Sequence, residues 1–549
     1  MGMKNRNRAL RMASALLMAT AIAGCSSNND AGPGTRDSNH GNNAASNAAS
    51  SGQGDNQQAI ALTYWAPLPA DVGTVVKNFN EITMYKVRNE ESHVNVKFEH
   101  PAAGSEDEQF NLMMASQELP DVIEYDFLNK YPGGPDKAIE DGVIIPLNDL
   151  IDEYAPNLKS YLEEHPDHAK EIKTDSGTIY NIPSLSDSTY RSFGGPMMRK
   201  DWLDEYHLSL PETVDDWENI LTVLKQEKGL DAPYAKLQWM PDVFAWAYGI
   251  QVFDDQGFYQ NNGTVLYGPM QPEYKAYLTR MHSWYEDGLL DPDFSTIDQK
   301  TMDAKVLQEE AAGIYGYIGG GMGQYNPAGK EKNENFNLVA VQYPVLKQGD
   351  EPQFINAAAI YQPGNSAYLT SANENPVETV QWFDYWFSEE GQLLKSFGVE
   401  GQTYTMVGDY PTYTDEILDN PEGLSIALAM SKHMRTNKPA PGIQNLPAYL
   451  EQYYQMDQQK EAVQIFGKYA DNNVQNALPK GLVPTADEAK EMAKLNANIQ
   501  TYVKEMYTKF IMGAESLDRF DEYLATLNQL DVDRLTELKQ NQLDRYQVR

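Results

Sequence analysis

A chain of 549 residues, 41% of them hydrophobic, is long enough to bury more than one core. Its 79 acidic and 43 basic residues give a formal net charge of −36, which excludes a nucleic-acid partner and leaves no electrostatic pull toward anionic lipid. One cysteine in the whole chain excludes an internal disulfide and a thiolate zinc site.

At the start, Lys4, Arg6, Arg8 and Arg11 precede an apolar run from Met12 to Ile22 that is too short to span a bilayer and reads as an export signal. Ile22-Ala-Gly-Cys25 resembles the bacterial lipobox, which implies that Cys25 becomes the lipid-bearing N-terminus. Residues 26–58 hold no aromatic or large aliphatic side chain and so cannot offset their ordering entropy. They are expected to form a disordered tether with an rms reach of about 30 Å.

Strands and helices then alternate. Ala59–Trp65 and Val94–Phe98 read as strands, with a helix expected over Thr74–Glu90 between them. A helix over Glu106–Ser116 and a buried strand over Leu119–Tyr125 complete a β-α-β-α-β order, which predicts a parallel sheet with helices on its faces. Helices are expected at Trp202–Tyr206, Val214–Glu227 and Glu273–Asp287, and a strand over Ala311–Ile318 runs into Gly319–Gly321. Pro376 suits the first turn of a further helix. From Thr485 onward the pattern is helical.

The segment Glu108–Val122 (EQFNLMMASQELPDV), after a lipobox and polar spacer, resembles the sugar-type extracellular solute-binding proteins of ABC importers, above all the alginate-oligosaccharide binders. Similar segments follow in order: Gly142–Pro156, Tyr180–Pro183, Met198–Leu203, Asn375–Thr379, Phe383–Ser388, Phe397–Val399 and Phe510–Gly513. The resemblance implies an α/β, two-lobed periplasmic-binding-protein-like fold with a hinge, a central cleft and a helical C-terminal extension. Lobe 1 is expected over 59–183 and 360–425, and lobe 2 over 184–359 and 426–549. Chain crossings are expected near 180–184 and 355–362. It further implies a monomer on the outer face of the cell membrane, held by its lipid alone, that passes an oligosaccharide to ABC permease subunits and is not an enzyme. The alternatives are a peptide or other small-solute binder, and a tethered polysaccharide-degrading enzyme. Family members carry a calcium loop after the helix matching Val214–Glu227, but here Lys228-Gly-Leu-Asp-Ala-Pro233 lacks alternating oxygen ligands, so neither a metal cofactor nor alginate itself is carried over.

Sugar rings present an apolar C–H face and a fringe of hydroxyls, met by aromatic faces and by planar polar groups. Ligands of parallel α/β sheets lie beyond the carboxyl ends of strands, which singles out Trp65, Tyr125 and Asp126. Trp239 and Trp246 flank a loop entering a helix, and Tyr317 precedes the triple glycine, where a ligand can approach the backbone. Arg199 lies in one of the family segments, and Gln444 and Asn445 lie in a Pro- and Gly-rich loop. Trp202, Trp217, Trp284, Trp382 and Trp386 are read as packing residues. No nucleophile elbow, zinc-protease helix or Walker loop occurs.

Overall fold

The computed structural model describes residues 60–187, 192–237, 240–357, 359–435 and 439–549, with only the backbone of Asp187, Asp254, Asn445 and Leu446. Cys25 and the expected tether lie outside the described residues, as does Trp239. Fourteen strands are named in chain order: β1 Ile60–Trp65, β2 Val94–Glu99, β3 Val122–Glu124, β4 Ser184–Asp187, β5 Gly194–Arg199, β6 Tyr234–Ala235, β7 Phe258–Asn261, β8 Thr264–Tyr267, β9 Gly313–Tyr317, β10 Leu338–Ala340, β11 Ala367–Leu369, β12 Tyr404–Val407, β13 Tyr410–Tyr413 and β14 Gly442–Asn445.

Alternation of apolar residues builds the first sheet. In β2, Val94, Val96 and Phe98 are buried while the residues between them face solvent. Strand β1 pairs in parallel with β2 and β3, and β11 adds antiparallel to β3, in the order β11-β3-β1-β2. The expected parallel core is present, but the first helix begins later than expected, at Thr83, and runs to Ser92. The amide side chains of Asn78 and Asn80 are the cause. Asn78 donates to the Phe98 carbonyl (2.9 Å), and Asn80 accepts from the Phe98 N–H (3.0 Å), so this stretch borders β2 with a single short 3-10 turn.

The second sheet has the order β10-β5-β9-β6, with β5 antiparallel to both β9 and β10 and β6 parallel to β9. Trp217 and Trp284 are fully buried behind it, and Trp382 and Trp386 are buried behind the first sheet, as packing residues should be.

Three segments join the sheets. Strand β4 pairs in parallel with β14, and on its other side Leu185 bridges Tyr361 and Ser192 bridges Ala357. Strand β14 adds a further segment beside β4, opposite Tyr361. Helix Ile426–His433 and Arg435 are fastened to the first half through Thr83–His433 (3.0 Å) and Arg435–Glu124 (2.6 Å).

Helices Ala486–Ile511, Phe520–Gln529 and Val532–Val548 pack on the second half, the first of them along helix Pro272–Glu286. They also reach the first half, where Arg545 pairs with Asp175 (2.5 Å) and the Tyr546 hydroxyl donates to Glu171 (2.7 Å). Among the described residues no helix is long and apolar enough to cross a membrane.

Candidate functional site

The carboxyl ends of β1 and β3 carry three of the candidates side by side. The Trp65 and Tyr125 rings meet edge to face, with centroids 5.4 Å apart and planes at 87°. Trp65 is buried against Phe127, Tyr180 and Tyr368, which fixes the pair from behind. The Tyr125 hydroxyl donates to Asp107 (2.5 Å), whose other oxygen pairs with Lys130 (2.8 Å). The bond from Lys130, then that from Tyr125, holds the Asp107 carboxyl below its usual range. Asp126 caps the helix Phe127–Lys130, accepting from the Asn129 backbone (3.3 Å) and amide (2.8 Å). Burial raises its carboxyl pKa in spite of those bonds.

On the second sheet Tyr317 ends β9 and is 38% exposed. Gly194, its antiparallel partner, has no side chain in the way, since a Cβ there would stand 3.0 Å from Tyr317 Cδ1. Beyond Tyr317, a Cβ on Gly319 would stand 2.6 Å from Tyr453 Cε1, so this glycine lets the Tyr453 ring lie on the backbone. Burial, and then the nearby Asp71 carboxylate, push the Tyr453 phenol up. Gly319 follows β9, so Tyr453 sets an aromatic ring beyond that strand's end. Sequence reasoning missed it. Tyr449 and Tyr453 stack four residues apart on helix Leu446–Tyr453, a spacing that reads as helix packing.

Gln238 and Trp239 lie outside the described residues, and the neighbours on either side of them are bonded to one another. Lys236 pairs with Asp242 (2.8 Å), which also accepts from Tyr277 (2.5 Å) and Tyr507 (2.9 Å). Burial pushes the Asp242 carboxyl up, and Lys236 with the two phenols outweighs it, leaving the pKa lowered. Gln444 is buried on β14 in register with Ser186, and Asn445 is in register with Asp187.

Two candidates fall elsewhere. Arg199 ends β5 five residues from Gly194, roughly 17 Å along the strand from Tyr317's partner. It is fully buried, paired with Asp201 (2.6 Å) and Glu309 (2.9 Å), and lies between the rings of Trp202 and Phe336 at 4.1 and 4.0 Å. A guanidinium so enclosed holds its own fold together and does not join the other candidates. Trp246 is buried at the crossing strands, tilted on Tyr343 with centroids 5.8 Å apart.

Nor does the loop after helix Val214–Lys228 fit a calcium ion. The Lys225 ammonium donates to the carbonyls of Asp231 (2.5 Å) and Gly288 (2.9 Å), so a positive charge already occupies the loop's carbonyl oxygens. Among the described residues no three His, Cys, Asp or Glu side chains cluster as metal ligands would.

The sequence pattern of the bacterial extracellular solute-binding proteins matches residues 59–393. The fructooligosaccharide ABC transporter substrate-binding protein FusA of Streptococcus pneumoniae serotype 4 is 24% identical over 478 residues, 80% of this chain and 83% of that protein. Among solved structures, the alginate-binding protein AlgQ2 without calcium ion superposes with a TM-score of 0.72 at 22% identity, covering 89% of this chain and 98% of that one. An HMO-binding, ABC-transporter-associated solute-binding protein from Bifidobacterium longum infantis gives 0.71 at 18% identity, covering 89% and 99%. The shared fold is two-lobed and mixed helix and sheet.

Proposed function

The chain belongs to the bacterial extracellular solute-binding proteins, and from that premise we propose that it captures an oligosaccharide between its two halves and delivers it to the membrane subunits of an ABC importer. The observation that carries this reading is the set of aromatic rings beyond the strand ends of both sheets: Trp65 and Tyr125 meet at the ends of β1 and β3, and Tyr453 lies on Gly319 beyond β9. Trp65, Tyr125 and Asp126 form one wall of the sugar site and Tyr317 and Tyr453 the other, with Gln444 at its floor; Trp239 and Asn445 are assigned to the same site from the sequence alone. Aromatic faces take the C–H side of each ring, and the carboxylate and amides take hydroxyls.

A ligand touching both walls favours the closed state by its extra contacts there, and the three crossings supply the hinge. The role is binding, as in the relatives. Cys25 carries the lipid that holds the monomer at the outer face of the cell membrane.

A panel of oligosaccharides, fructooligosaccharides first, tests the reading by fluorescence titration and thermal shift. Saturable quenching with a raised Tm and an unchanged sugar is expected. Release of new reducing ends in proportion to protein would overturn it.

A further inference from the structure

The sugar site proposed above has a sign of charge as well as a shape. Burial first, and then Asp107, Glu106 and Asp126, push the Tyr125 phenol up, so three carboxylates lie within electrostatic reach of this ring. Asp107 accepts the Tyr125 hydroxyl bond at 2.5 Å, and Asp126 follows Tyr125 just past the end of β3. On the other wall, the Asp71 carboxylate acts on Tyr453 in the same direction. The net charge of −36 adds a negative field over the whole molecule.

The cations of these segments have partners of their own among the described residues. Lys130 pairs with Asp107 at 2.8 Å, and Lys236 with the buried Asp242 at 2.8 Å. Arg435, behind β3, pairs with Glu124 at 2.6 Å, and Lys77 turns its ammonium onto the Gly73 carbonyl. Arg199 is enclosed at the far end of β5 between Asp201 and Glu309. His100, beside Ala66, is neutral. The Phe79 N–H donates to its Nε2 (3.1 Å), so the proton sits on Nδ1, which donates to the Ala66 carbonyl (2.8 Å). Burial lowers its pKa and keeps it uncharged. Arg191 and Lys438 lie outside the described residues.

A carboxylate on a sugar is held by ammonium groups or, better, by a guanidinium fork. Asp126 offers the opposite. A carboxylate only accepts hydrogen bonds, and Asn129 takes up part of its capacity. Sugar hydroxyls can donate to the rest. A uronate has no proton to give at neutral pH and repels Asp126, the more so where burial already disfavours that charge.

We propose that the cleft selects neutral oligosaccharides and rejects chains of uronic acids, with Asp126 as the discriminating residue. This rests on the oligosaccharide reading above and narrows it to one chemical class.

The test titrates the full chain by calorimetry near pH 7 with tri- and tetrasaccharides of fructose, glucose, galactose and mannose. Each binder is compared with the same sugar oxidised at its primary hydroxyls to carboxylates, and with the methyl ester of that acid, which is uncharged. The acid should bind at least about tenfold more weakly than its parent, and the ester should regain most of the loss. Asp126→Asn keeps the helix cap, since asparagine caps as well as aspartate. It should narrow the gap between acid and ester by about threefold or more. An acid that binds as tightly as its parent, through whatever cation, overturns the proposal and leaves the oligosaccharide reading standing. An ester as weak as the acid overturns it too, since bulk and not charge is then refused, and so does an unchanged gap in Asp126→Asn. Failure of every neutral sugar to bind overturns the oligosaccharide reading itself, and this proposal with it.

Discussion

Arg435 grips Glu124 with both arms of its guanidinium, Nη2 to Oε1 at 2.6 Å and Nη1 to Oε2 at 3.0 Å, and the two are buried together across 311 positions of sequence. Tyr64 donates to the same carboxylate at 2.8 Å, and Tyr85 bonds Arg435 at 3.2 Å. The pair ties the chain entering the third crossing to the end of β3, one residue before Tyr125. Arg435→Met leaves a buried carboxylate without its cation, at a cost of about 3–5 kcal/mol. Urea denaturation should show that loss, and a change below about 1 kcal/mol would refute the assignment.

Tyr317, 38% exposed at the end of β9, is proposed as a ring of the cleft. Tyr317→Ala is expected to weaken oligosaccharide binding about three- to tenfold, the worth of one aromatic contact at ~0.5–1.5 kcal/mol. Calorimetric titration measures it, and the Tm of the ligand-free protein should barely move.

Lys395 is buried beneath β14 and donates to the carbonyls of Ala440 (2.8 Å) and Pro441 (3.1 Å). Burial, then the nearby Arg435, pushes its pKa down to about 7. The unfolded lysine keeps its proton up to about pH 10.4. Between these values the unfolded chain binds a proton that the folded one does not, so this group makes stability rise with pH above 7, by up to ~1.4 kcal/mol per unit. Lys395→Met should flatten that rise between pH 7 and about 9 in denaturation curves. An unaltered slope would mean the amine stays charged.

With Lys225 seated on the carbonyls of Asp231 and Gly288, calcium has no place in that loop. Adding calcium or a chelator should shift the Tm by less than about 1 °C, whereas a specific site at 1,000 times its Kd would add ~4 kcal/mol.

Cys25→Ser should move the protein from the detergent phase to the aqueous phase on Triton X-114 partitioning. Retention in the detergent phase would show some other membrane attachment.

Much of the first half was legible in sequence because alternation at Val94, Val96 and Phe98 and the proline-bounded strand end at Trp65 are local signals. Thr74–Glu81 was misread because its apolar spacing permits a helix, while the amides of Asn78 and Asn80 find better partners on β2, a tertiary choice that no window reveals. Strand β14 is four residues long and exists only because β4 lies beside it. Arg199 was misplaced since a cation in sequence carries no mark of burial, and its carboxylate Glu309 is 110 residues away. Tyr453 escaped because Gly319, the backbone its ring lies on, belongs to a strand end far away in sequence.

The interleaved order of the first half has a consequence for biosynthesis. β1, β2 and β3 emerge early, yet their neighbour β11 and the cation for Glu124 arrive only after every strand of the second sheet has been made. During that interval β3 presents an unpaired edge and Glu124 lacks its counter-ion, the kind of exposed intermediate that invites aggregation and slows folding. Neither half can be produced as a contiguous fragment, and a translation stop between residues 187 and 367 would yield a chain that cannot complete its first sheet.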